Sequence, residues 1–133
     1  MKFNEYRKTF QISFCLNINR YSIAIVEDYP EFSDKVFSII NDGKEITVIA
    51  EEGVRLSTIS KEKYFRRITF NLNLPFDLTG FLMHISTLLA RKNISTFVIS
   101  AYSTDHLFVR ESEVDQVIEL LKNDGMYQLD APS

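Results

Sequence analysis

The stretches VFSIINDGKEITVIAE, residues 36–51, and FVISAYSTDHLFVRES, residues 97–112, read alike as strand, turn, strand. In the first, Asp42-Gly43 separates two apolar runs, the strongest short-range hairpin signal, because glycine accepts the positive φ the turn demands. In the second, Ser103-Thr104-Asp105 supplies good turn formers. Working outward, residues 10–18 alternate Phe10, Ile12, Phe14, Leu16 and Ile18 against polar partners, a strand with one buried face. Asn19-Arg20 reads as a tight turn into a second strand, Tyr21–Glu27. Ile68, Phe70, Leu72 and Leu74 alternate with Arg67, Thr69, Asn71 and Asn73, and Pro75 closes that strand. Residues 51–63 are mixed and charged and are expected to hold one or two helical turns.

The helices carry a different period. Leu78, Phe81, Leu82, Ile85, Leu88 and Leu89 form one apolar stripe over residues 78–92, with Asp77 as the expected N-cap and Asn93 as the stop. Val114, Val117, Ile118 and Leu121 form a second stripe, opened by a capping-box pair, Ser112 and Asp115, and ended by Gly125. A short last strand is expected near Met126–Leu129. Only eight residues separate Glu27 from Val36, too few for a crossover helix. The order fits an α+β chain with a duplicated βαββαβ plan, the first copy having lost or shortened its first helix. The expected division is residues 1–65 and 66–133.

Composition narrows the function. The net charge of −3 leaves no basic excess for a phosphate backbone, so nucleic acid is not an expected partner. Cys15 is the single cysteine, which excludes an internal disulfide and a cysteine-rich zinc site. No apolar run approaches the roughly 20 residues that span a bilayer, and no apolar signal core opens the chain. A cytoplasmic location without membrane contact is expected. The two histidines, His84 and His106, lie outside any metal-ligand spacing, and each is expected to be partly exposed on its element. No histidine is patterned to activate Cys15, which reads as a semi-buried strand residue. Glu111, Glu113 and Asp115 read as a solvated helix start. No phosphate-binding glycine motif is present; catalysis, a metal and a cofactor are not expected.

Two segments hold more chemistry than the fold requires. In Pro75-Phe76-Asp77-Leu78-Thr79-Gly80-Phe81-Leu82, a glycine in the first turn costs up to about 1 kcal/mol relative to alanine. Close approach of a backbone or a ligand is the usual reason to accept it. Backbone N–H groups there suit a carboxylate or a phosphate, and Asp77 and Thr79 suit capping or an ammonium group. Plain capping and tight packing at Gly80 also account for the pattern. In Ile99–Leu107, Tyr102 offers an aromatic wall and Asp105 a carboxylate, where turn formation alone accounts for Ser103, Thr104 and Asp105.

The pairing of F-D-L-T-G at a helix start with I-S-A-Y-S-T-D-H-L-F-V on the next hairpin resembles the small tandem-ACT proteins, and the ACT modules of the CASTOR-type arginine sensors. The resemblance spans roughly residues 10–125. It implies two ferredoxin-like ACT halves side by side and a small-molecule ligand, an amino acid, held at an inter-domain or inter-subunit groove, in a homodimer. The residues it implies are Asp77, Leu78, Thr79, Gly80 and Phe81, with Ile99, Ser100, Tyr102, Ser103, Thr104 and Asp105. Ala101 stands where that family commonly has Thr, Ser103 where it has Asp, and His106 where it has Tyr. The competing expectation is a ligand-independent assembly module.

Overall fold

The computed structural model describes residues 2–70 and 79–130. The elements run α1 (Phe3–Thr9), β1 (Ser13–Val26), β2 (Val36–Asn41), β3 (Ile46–Glu51), β4 (Thr58–Phe70), α2 (Phe81–Ala90), β5 (Phe97–Ser100), β6 (Asp105–Arg110), α3 (Val114–Asn123) and β7 (Tyr127–Leu129). They form two compact units. One is Asn19–Phe65; the other is Met1–Ile18 with Arg66–Ser133. We call them the inserted and the outer unit. Residues 1–18, expected with the first half, pack with the second: Phe3, Tyr6, Ile12 and Phe14 share one core with Ile68, Phe70, Phe81, Ile85, Leu107 and Leu121.

The inserted unit orders its strands β2-β3-β1-β4. β1 pairs antiparallel with β3 from Tyr21↔Glu51 to Val26↔Ile46, and β3 with β2. Its core is small, built on Ala24, Val26, Val48 and Ala50. The segment joining β1 to β2 forms no helix, as its length requires. The Asp42-Gly43 turn forms: Gly43 takes φ 89°, and the Asp42 carboxylate accepts the N–H groups of Lys44 and Glu45, each at 2.9 Å. Two expectations fail here. Asn19-Arg20 is no turn, because neither residue takes the positive φ of a tight hairpin, and β1 runs straight through. Residues 51–63 hold no helical turn; Gly53 at φ 98° turns the chain, and β4 begins at Thr58.

The outer unit places β1 beside β4, then β6 and β5. β7 pairs parallel with β1, Ser13↔Tyr127 to Cys15↔Leu129. β5 and β6 pair antiparallel, Phe97↔Phe108 to Ser100↔Asp105. The predicted stripes bury along their centres: Phe81, Ile85 and Leu89 on α2 and Val114, Val117 and Leu121 on α3 are buried, while Leu82, Leu88 and Ile118 are half-buried. Asn93 takes φ 56°, and the Ile94 N–H reaches back to the Leu89 carbonyl at 3.1 Å, closing α2. Gly125 at φ 95° follows α3.

The helix starts differ from expectation. The N-cap position of α2 is Gly80, so the helix begins later than the stripe predicts; Asp77 and Leu78 lie outside the described residues. Ser112 and Asp115 form no capping box. Glu111–Glu113 is a single 3-10 turn, and no side chain caps α3. Cys15, expected semi-buried, is buried.

Candidate functional site

α2 begins at a braced point. Gly80 has φ 95° and ψ −7°, and no side chain caps it. Its carbonyl accepts the His84 N–H at 3.0 Å. The preceding carbonyl, Thr79, accepts the Phe3 N–H at 2.9 Å. In a trans peptide the carbonyl and the following N–H point in opposite directions, so this bond sends the Gly80 N–H away from α1. Phe81 is buried and meets two rings edge-on, Phe3 at 5.3 Å and Phe70 at 5.0 Å. A Cβ on Gly80 would stand 3.7 Å from the Phe3 Cβ, an ordinary contact. The left-handed backbone therefore demands glycine here. Thr79 and Gly80 are exposed.

The β5–β6 hairpin closes with the Ala101 N–H donating to the Thr104 carbonyl at 2.8 Å. Its tip is open: Ser100 and Ser103 are exposed, and Tyr102 is 85% exposed. Ile99, Thr104 and Asp105 are half-buried. Beneath the tip stands a polar network that the sequence reading did not anticipate. His106, expected partly exposed, is buried. Its Nδ1 lies 2.9 Å from Thr69 Oγ1 and 3.2 Å from an Arg67 nitrogen, and its Nε2 lies 2.8 Å from Thr104 Oγ1. Arg67 also donates to Thr69 Oγ1 at 3.0 Å. Since a guanidinium only donates, Nδ1 accepts and Nε2 carries the proton toward Thr104. Burial, then the Arg67 charge, push the imidazole down to about 4, so it is neutral at pH 7. The available signal was alternation: Arg67 and Thr69 share the polar face of β4, where a strand neighbour's histidine finds two partners.

Both segments belong to one end of β4. Phe81 packs on Phe70, the last residue of that strand, and His106 bonds to Thr69. The other end of β6 is marked by Arg66, which faces Glu111 at 3.8 Å. Because Phe70 and Thr69 alternate, the start of α2 meets one face of the strand and the hairpin network the other. Among the predicted site residues, Thr79, Gly80, Phe81, Ile99, Ser100, Tyr102, Ser103, Thr104 and Asp105 are thus gathered in the outer unit.

His84 serves a different purpose. Its Nε2 lies 2.7 Å from Asp124 Oδ2, and its ring lies 5.0 Å from Phe3. Arg7 donates to the Asp124 carbonyl at 2.7 Å and carboxylate at 3.1 Å, and lies over the Phe3 ring. This cluster clamps α1 to α2 and to the end of α3. Among the described residues no group of His, Cys, Asp and Glu is arranged to hold a metal ion, and no helix is long and apolar enough to cross a membrane.

A family model described as the ACT domain matches residues 60–123, slightly less than half of the chain and spanning every candidate residue. Solved structures share the ACT-like fold. A protein of Agobacterium tumefaciens, Atu0741, is 23% identical with a TM-score of 0.80, covering 94% of this chain and 97% of its own. A Vibrio cholerae protein of unknown function, VC0802, described as a possible transport protein, is 22% identical with a TM-score of 0.70, over 87% and 91% of the two chains. A putative C-terminal regulatory domain of aspartate kinase from Porphyromonas gingivalis W83 is 9% identical with a TM-score of 0.60, over 86% and 96%. No curated protein matches the sequence.

Proposed function

We propose that the chain is a non-catalytic regulatory domain that binds a small ligand, an amino acid, at the end of the outer unit where α2 starts and the β5–β6 hairpin turns. The observation that carries the reading is that the start of α2, through Phe81 on Phe70, and the β5–β6 hairpin, through His106 on Thr69, meet the same end of β4, inside the segment that matches the ACT model. The ligand carboxylate would meet backbone N–H groups at Thr79–Phe81, Asp77 or Asp105 would face its ammonium, and Tyr102 would cover it from the tip. A second copy of the chain completes the groove, so ligand binding favours the homodimer by mass action. A regulatory domain of aspartate kinase among the similar structures is consistent with such a role.

The experiment is a thermal-shift screen of the common amino acids at millimolar concentration, with the dimer followed by light scattering. A ligand at a hundred times its Kd stabilises by about 2.7 kcal/mol. No shift with any amino acid would sink the proposal. A second reading, a ligand-independent interaction module, draws on one observation: the φ of Gly80 accounts for that glycine without a ligand. Its signature is a dimer whose stability ignores every small molecule tested.

A further inference from the structure

We infer that the outer unit carries a second binding site, in the cleft between the end of α1 and the end of α3, for a small organic anion with an apolar or aromatic body. The cleft holds about 400 Å3 and is lined by Arg7, Lys8, Phe10, Gln11, Ile12, Gly125 and Met126. That volume suits a small metabolite.

The charge of the lining is one-sided. Its two ionised side chains, Arg7 and Lys8, are both cations, in a chain of net charge −3. A second cleft, of about 850 Å3 in the inserted unit, is lined by Asp28, Glu31 and Glu52 together with Lys35 and Arg55, and selects no sign. Arg7 is held in place by the Asp124 carbonyl and carboxylate. Asp124 offsets part of its charge, so Arg7 supplies a fixed donor, and exposed Lys8 supplies the net attraction.

The apolar part is equally defined. Ile12 and Met126 are buried, fixed by the Tyr127 N–H on the Ile12 carbonyl and the Met126 N–H on the Leu121 carbonyl, each 3.1 Å. Phe10 remains 50% exposed although its ring stacks on Tyr6 at 4.8 Å, which leaves one flank for a ligand ring. A Cβ on Gly125 would meet nothing within 4 Å, so no side chain fills that wall. A cationic rim over an apolar floor recognises an aryl or alkyl carboxylate better than a bare anion.

The test is titration of the 15N-labelled full chain with phenylacetate, acetate and inorganic phosphate, following backbone amides by NMR. Phenylacetate is expected to give saturable shifts at residues 8–12 and 125–126 with Kd of roughly 0.1–1 mM, at least tenfold tighter than acetate or phosphate. Lys8→Glu is expected to weaken it about tenfold and Phe10→Ala about fivefold; both positions are exposed, so the fold is retained. Equal binding of acetate or phosphate overturns the inference, as does wild-type affinity in both variants. Shifts confined to residues 79–81 and 99–105 also overturn it while supporting the amino-acid site, so the two readings fail separately.

Discussion

The two hairpins that open the sequence alike end differently. In the inserted unit the turn is self-contained: Asp42 accepts two of its own turn's N–H groups, and Gly43 provides the positive φ. In the outer unit the turn is propped from outside, Thr104 on His106 and His106 on Thr69 and Arg67 of β4. A turn stabilised by its neighbours in sequence needs nothing else and leaves its tip idle. A turn stabilised from a neighbouring strand ties part of its tip to that strand, here Thr104 through His106.

The largest expected break in this contrast is acid. His106 in the folded chain titrates near 4, below its ordinary 6.5. Between those values the unfolded chain holds the proton and the folded chain does not, so stability is full above pH 6.5 and falls as pH drops toward 4. The loss is on the order of 3 kcal/mol, and denaturant melts across that range measure it. His106→Gln should flatten the slope; an unchanged slope would refute the assignment. Next come the positive-φ glycines: Gly80→Ala and Gly43→Ala should each cost about 1–2 kcal/mol in urea unfolding, the first at the candidate site and the second in the self-contained turn. Asp42→Ala should lower the thermal midpoint by less than Gly43→Ala. The Asp42 carboxyl is held below its ordinary value by the N–H groups of Glu45 and Lys44, so its contribution persists above pH 3.8 and disappears in stronger acid. Smallest in stability is Tyr102→Ala, within about 0.5 kcal/mol because the ring is exposed. In the same thermal-shift assay it should cut amino-acid stabilisation severalfold, which separates a working tip from an idle one.

Where local chemistry decides the outcome, the sequence was legible. Asp42-Gly43, the α2 and α3 stripes and the Asn93 stop all formed because each depends on residues close together in the sequence, within one turn or one helix. α1 was not legible. Seven residues cannot hold a helix alone, and its anchors answer to Thr79, Phe81 and Asp124, far along the chain. Polar Asn4, Glu5, Arg7 and Lys8 mask Phe3 and Tyr6. For the candidate site, sequence picked out the glycine and the hairpin tip; the buried imidazole beneath the tip required strand pairing to see. The positive φ of Gly80 is a requirement that its place before an apolar stripe does not reveal.

The pairing of Ser13–Cys15 with Tyr127–Leu129 has a kinetic consequence. These strands are neighbours in the sheet yet nearly a full chain apart in sequence, and closing so long a loop is slow relative to local contacts. The inserted unit, whose pairings all lie within Asn19–Phe65, has a head start. The first strand waits half-finished, and the last three-residue strand completes its register. A mutation that weakens β7, such as Gln128→Pro, should therefore slow the final folding phase and leave the early one untouched.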